Sequence, residues 1–207
     1  MGLRIDLHTH TRRYSSCSRI DPSDLIPAAV KAGLDGLVIT EHFRQWTEDE
    51  LQELRQQADA PGFLLLAGFE YTSTCGDLLV YGLSDRDASA MERDLSPAEA
   101  IRYVRQCGGV CIAAHPTRLG MGYDERILNL PFQAIEVCST RLEPHERSLA
   151  LKIADAAKIP AVACSDAHAV HEVGNYATTF TVPVRDIRDL RDALLRGKFH
   201  IESDGRK

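Results

Sequence analysis

"LRIDLHTHT", residues 3–11, places two histidines one residue apart at the end of an apolar run. Alternate residues of a strand point to opposite faces. Leu3, Ile5 and Leu7 are therefore expected on one face, and Asp6, His8 and His10 on the other. Two imidazoles on one face of a strand end form a candidate metal-chelating pair. Taken alone the pair is weak evidence, because a strand-end histidine commonly does no more than hydrogen-bond a loop. The other strands decide.

Outward from this stretch, strand-like runs alternate with helical patterns. "LRIDL" (3–7) leads to a helix from about Pro22 to Ala32, and "GLVIT" (36–40) to a second over residues 47–58, where Thr47 and Glu50 form a capping box. "FLLLAGF" (63–69) and "DLLVYGL" (77–83) are close enough to pair locally. Ser96 and Pro97 start a helix over 96–107, followed by "GVCIAA" (109–114), "QAIEV" (133–137), a helix over 143–157, "AVACS" (161–165), "ATTFTV" (177–182) and a last helix over 185–197. Such alternation implies an α/β fold with a largely parallel sheet, either a barrel or a doubly wound sheet.

The 207 residues, 44% hydrophobic, fit a single domain. A net charge of -6 argues against binding nucleic acid or an acidic membrane through bulk electrostatics. No apolar run reaches membrane-spanning length, and no basic-then-apolar leader opens the chain, so a soluble cytoplasmic protein is expected. Six cysteines without a paired framework are expected as free thiols. The sequence assigns no oligomeric state.

The polar residues at strand ends carry the chemistry. His8, His10, His42, Glu70, His115, Asp166 and His168 sit on five predicted strands, each at the C-terminal end, where parallel α/β folds build their sites. Burying such a group without a cation leaves unpaired charge and polar atoms, at a cost of several kcal/mol. Glu136 shares the inward parity and is expected to support a ligand. Cys138 is expected to pack, and Glu41, of opposite parity, to face a helix or a loop arginine. His145 and His200 are expected on the surface.

"DLHTHT" (6–11), "GLDGLVITEH" (33–42), "GFE" (68–70), "AAHP" (113–116) and "CSDAH" (164–168), in this order, resemble the successive motifs of the PHP (polymerase and histidinol phosphatase) family. The resemblance spans residues 6–168 and implies a distorted (β/α)7 TIM-like barrel with two or three divalent ions (Zn, Mn or Fe) in its mouth. It implies that His8, His10, Glu70 and Asp166 hold one ion, Glu70 and His115 a second, and His42 and His168 a third. Two positions depart from the common pattern. In "RRYSSCS" (12–18) Cys17 is the nearest candidate where an Asp or His is frequent, and would favour a softer ion such as zinc or iron. In "GDLLVYGL" (76–83) Asp77 stands where a His is frequent.

Paired cations suit phosphoryl transfer, and the expected activity is hydrolysis of a small phosphorylated metabolite or nucleotide by hydroxide activated on a di- or trinuclear cluster. Glu70 is the expected bridging ligand, and Asp166 is placed to orient the hydroxide. Arg118 and Arg141 are candidate phosphate clamps, with Arg12 and Arg13 as further ones. Two other readings stand beside this one. An amidohydrolase-like enzyme would usually show a bridging lysine, and no lysine ends a strand here; a catalytically idle metal-binding module would bind metal without turnover. A polymerase-linked exonuclease is disfavoured by the lack of basic character.

Overall fold

The computed structural model describes residues 2–201. The expected single-domain span, 1–207, includes Met1 and residues 202–207, which lie outside them. The helices begin where the sequence supplies a start signal. Asp21 accepts from the Ser23 N–H ahead of α1 (Pro22–Lys31), and capping boxes open α2 (Glu48–Gln57, from Thr47) and α4 (Pro97–Gln106, from Ser96). α5 (Pro144–Ala157) has proline in its first turn, and α6 (Ile187–Leu195) is capped by Asp186. A short α3 (Asp85–Ala90), capped by Ser84, precedes α4.

The strands are β1 (Leu3–Thr9), β2 (Gly36–His42), β3 (Leu64–Thr72), β4 (Asp77–Tyr81), β5 (Val110–Ala114), β6 (Ala134–Cys138), β7 (Ala161–Ala163), β8 (Thr178–Phe180) and β9 (Phe199–His200). They form one sheet in the order β7-β6-β5-β4-β3-β2-β1-β8-β9. A parallel bridge between Thr9 and Ala167, with the His10 N–H donating to the Ala167 carbonyl at 3.1 Å, brings the β7 end back to β1 and nearly closes a seven-stranded barrel. The distortion lies in direction. β4 runs antiparallel to both β3 and β5, and β8 and β9 are antiparallel additions beside β1. The β3–β4 turn is too short for a parallel crossover, so β4 starts, rather than ends, at the mouth. That is how Asp77, the first residue of β4, reaches the same end as Glu70.

Inside the barrel, Ile5, Leu7, Val38, Leu66, Leu79, Ile112, Val162 and Cys164 join one buried cluster, and α6 adds Leu190, Ala193 and Leu194 beneath the strand starts. The outer faces pack under α1 and α2 on one side and α4 and α5 on the other. One expectation is corrected here. Ile5 and Leu7 are interior residues, whereas the Asp6 carboxylate turns away to the backbone N–H groups of Ser165 and Gly174. The β1 register shifts between Asp6 and Thr9, and beyond this irregularity His8 takes the interior direction. A matching shift in β6 between Glu136 and Cys138 leaves Glu136 inside and sends Cys138 to the outer cluster, where it packs as expected.

Candidate metal centre

Glu70 is the hub of the barrel mouth. Its Oε1 lies 3.0 Å from His115 Nε2, and its Oε2 lies 3.1 Å from His42 Nδ1, 3.2 Å from His10 Nε2 and 3.5 Å from His8 Nε2. Asp166 Oδ1 is 3.4 Å from His8 Nε2, His10 Nε2 and His168 Nδ1. His8, His10, Glu70, His115 and Asp166 are buried, while His42 and His168 are half-buried at the rim. Donor atoms within 4.8 Å of one another form four groups: His8–His10–Glu70, His8–His115–Asp166, Glu70–Asp77–His115, and His10–His42–His168. The seven strand-end residues thus converge.

Backbone conformation contributes to that convergence. Ile112 and Ala114 face the interior, so regular alternation would send His115 outward; its φ of 26° turns it back. Asp166 (φ 50°) and Phe43 (φ 56°), next to His42, are also left-handed, so three such non-glycine residues lie at or beside ligands. Glu136 holds part of this in place. Its Oε2 accepts the His115 backbone N–H at 2.6 Å, and its Oε1 lies 3.2 Å from His8 Nδ1. With a proton on Nδ1, His8 presents the Nε2 lone pair to the cluster.

The loop after β1 is fixed just as closely. Ser15 Oγ lies 3.4 Å from His10 Nδ1 and accepts the His42 backbone N–H at 3.2 Å, and the Ser18 hydroxyl donates to the His10 carbonyl at 2.8 Å. Glu41 faces away from the donors, as expected, but its partners are not arginines. It accepts from Thr11 N–H, the Thr11 hydroxyl and the Trp46 indole N–H, tying the residue after His10 to the residue before His42. Sequence reasoning missed Ser15 and this strut because both depend on a loop folding back across two strands.

The electrostatics suit cations. Burial opposes charge on His8, His10 and His115, yet the facing carboxylates outweigh it and push all three upward, His115 to about 9. Burial likewise opposes ionised Glu70 and Asp166, and the imidazoles outweigh it and pull both carboxyls down. Asp77 is pushed up to about 6 by burial and by Glu70. His8 Nε2 and His10 Nε2 point at each other 3.0 Å apart. Asp77 Oδ1, Asp166 Oδ2 and His115 Nδ1 are buried without a hydrogen-bond partner among the described residues. Divalent ions would satisfy the carboxylate lone pairs and replace the protons on the imidazoles, so the donor set fits them.

Of the remaining sequence candidates, Asp77 joins Glu70 and His115 in a donor group. Cys17 does not enter any of the four; it is exposed, and His10 completes the group of His42 and His168 instead. Arg118 and Arg141 line a cavity of about 420 Å3 beside His168. Arg12 pairs with Asp21, and Arg13 pairs with Glu50 at 3.1 Å while lying over the Trp46 ring, so both are engaged elsewhere. His145 and His200 are exposed. A larger cavity, about 800 Å3, between α2 and residues 184–187, holds none of the donors. No helix among the described residues is long and apolar enough to cross a membrane.

A barrel with a histidine–carboxylate mouth defines a class of metal-binding α/β proteins. Residues 144–199, about a quarter of the chain, match the PHP-associated family. An uncharacterized protein of Methanocaldococcus jannaschii is 26% identical over 146 residues, covering 65% of this chain and 81% of that protein. Among solved structures, a Bifidobacterium adolescentis protein assigned as a metal-dependent phosphoesterase is similar over 98% of both chains (19% identity, TM-score 0.64). A sulfate-bound amidohydrolase of Chromobacterium violaceum aligns over 94% of this chain and 96% of its own (18%, 0.66). A lesion-specific endonuclease of Pyrococcus furiosus aligns over 97% of this chain and 57% of its own (14%, 0.71). These likenesses establish the TIM-like barrel.

Proposed function

We propose that the chain is a metal-dependent phosphoesterase acting on a small phosphorylated metabolite or nucleotide. One observation carries this reading: the Glu70 carboxylate belongs to two adjoining donor groups, one with His8 and His10 and one with Asp77 and His115. A shared carboxylate between neighbouring donor sets is the arrangement a two-ion hydrolase requires. His8, His10, Glu70 and Asp166 would hold one divalent ion, Glu70, His115 and Asp77 a second, and His42, His168 and His10 a third. Zinc, manganese and iron all suit imidazoles and carboxylates. When bound, the ions supply a water that is nucleophilic at neutral pH and positive charge for the ester phosphate.

The protein's own groups do the positioning. Glu136 sets the His8 tautomer. Asp166, held ionised by its imidazole neighbours, has Oδ2 buried and unpartnered, from where it would orient a water. The rim pair His42 and His168 leaves the mouth open for an ester to enter. An amidohydrolase-like mechanism with a bridging lysine is less well supported, since no lysine among the described residues stands at the C-terminal end of a strand.

Metal analysis of the purified chain, followed by a screen of phosphomonoesters, phosphodiesters and amides, tests this reading. Stoichiometric metal and chelator-sensitive phosphomonoester hydrolysis are expected. Bound metal with no turnover of any phosphate ester would favour the idle-module reading and overturn this one.

A further inference from the structure

Beside His168 the barrel mouth continues into the 420 Å3 cavity, within the size range of small-ligand sites. Its wall includes Cys17, Arg19, Arg118, Arg141, His168 and Glu172. Three guanidiniums face one carboxylate, in a chain whose net charge is -6. That carboxylate is already engaged: Glu172 Oε2 takes Arg141 Nη2 at 2.6 Å and the backbone N–H groups of His168 and Ala169 at 2.8 and 2.9 Å. Arg19 and Arg118 make no side-chain hydrogen bond among the described residues, and Arg118 is felt only at longer range by the Glu146 carboxylate. The nearby Glu146 spends its carboxylate on the N–H groups of Leu119 and Glu143.

The backbones of these arginines are indexed to the donor cluster. Arg19 N–H donates to the His168 carbonyl at 2.9 Å, and Arg118 N–H to the His115 carbonyl at 3.0 Å. Arg141 is tied through Glu172 to the His168 backbone. Guanidiniums lining a concave site, two of them without a side-chain hydrogen bond among the described residues, suit phosphate or carboxylate oxygens. Of the residues that form the donor groups, only His168 lines the cavity; Glu70, His8, His115 and Asp166 do not. An anion bound here would sit next to His168 and apart from the Glu70-centred donors.

We propose that this cavity binds a second anionic group of the substrate, a phosphate or a carboxylate, so that the preferred esters carry another negative group a few bonds from the ester phosphate. This rests on the phosphoesterase reading above. Two measurements on the metal-loaded protein separate the claims. The first is calorimetric binding of propylphosphonate, its carboxylate-ended analogue and propane-1,3-bisphosphonate, none of which can be hydrolysed. The second compares kcat/KM for the corresponding propyl phosphate esters with neutral, carboxylate and phosphonate ends.

The wild type should prefer the two-headed ligands by about tenfold, the scale of one charge-assisted hydrogen-bonded contact. Arg19→Gln and Arg118→Gln should each cut that preference by at least about threefold. Which head wins, carboxylate or phosphonate, identifies the second group. A wild-type preference near unity overturns the proposal, as does a preference that neither variant changes, because clamps on the ester phosphate would weaken all ligands alike. Binding preference without ester hydrolysis supports the cavity assignment and removes the esterase reading; hydrolysis without preference does the reverse.

Discussion

Glu136→Gln isolates the part played by a residue that would not itself hold an ion. The carboxylate is fully buried and serves two donors, His8 Nδ1–H at 3.2 Å and the His115 backbone N–H at 2.6 Å. Gln has nearly the same volume but only one acceptor oxygen. If that oxygen keeps the His115 N–H, the amide NH2 faces His8 Nδ1 and drives the imidazole proton to Nε2, the atom 3.0 to 3.5 Å from His10, Asp166 and Glu70. If the oxygen keeps His8, two N–H groups oppose each other at His115, which costs about 1–3 kcal/mol. Either way the site suffers. Metal affinity should fall by about 10–100-fold, the usual effect of losing a partner behind a ligating histidine, or about 1.4–2.8 kcal/mol. Competition against a chromogenic chelator measures the affinity, and long-range proton–nitrogen NMR reads the His8 tautomer. Affinity within about twofold of wild type, with His8 still protonated on Nδ1, would refute the reasoning.

In the metal-free protein His115 is raised to about 9, and a raised histidine stabilises fully below the free value near 6.5 and loses that contribution as pH climbs through about 9. His8 and His10 shift the same way, so metal-free Tm should fall between pH 6.5 and 9; a flat or rising scan contradicts this. Metal loading near neutral pH should release protons, visible with an indicator in weak buffer. Glu41→Gln leaves Thr11 and Trp46 with one acceptor fewer in a buried site and should cost about 1–3 kcal/mol, about 2–4 °C in Tm for each kcal/mol; an unchanged Tm would show that the strut is not needed. Gly76 sits at φ 86°, where an added Cβ would stand only 2.5 Å from Tyr123 Cδ2, and Tyr123 OH donates to the Asp77 carbonyl at 2.6 Å. Gly76→Ala should therefore cost about 1–3 kcal/mol and loosen the ion nearest Asp77, read as metal per chain.

Much of the fold and most of the donor set are legible in the sequence, for a physical reason. Strand-end position is a one-dimensional property, so the residues closing "GLVITEH", "GFE", "AAHP" and "CSDAH" can be found without knowing the sheet order. Face assignment is less secure. Alternation fails at a bulge, and β1 has one between Asp6 and Thr9, so Asp6, expected beside His8, instead caps the loop after β7. His115 reaches the cluster against strand parity through a left-handed backbone that no residue pattern announces. Cys17 is near the mouth in sequence but exposed in space, because the loop from Thr11 to Ile20 folds inward through Ser15 and Ser18. Asp77 reaches the site through a reversal of strand direction that the short β3–β4 turn does encode.

Glu70→Gln tests the central claim most directly. The change keeps the side-chain volume and removes the one charge that four imidazoles face and two donor groups share. Metal per chain and hydrolysis of p-nitrophenyl phosphate should be measured on the same preparations of wild type and variant, with circular dichroism confirming the fold. The variant is expected to stay folded, bind at least one ion less tightly and turn over the ester slower by orders of magnitude. Hydrolysis near the wild-type rate with one ion lost would contradict the claim.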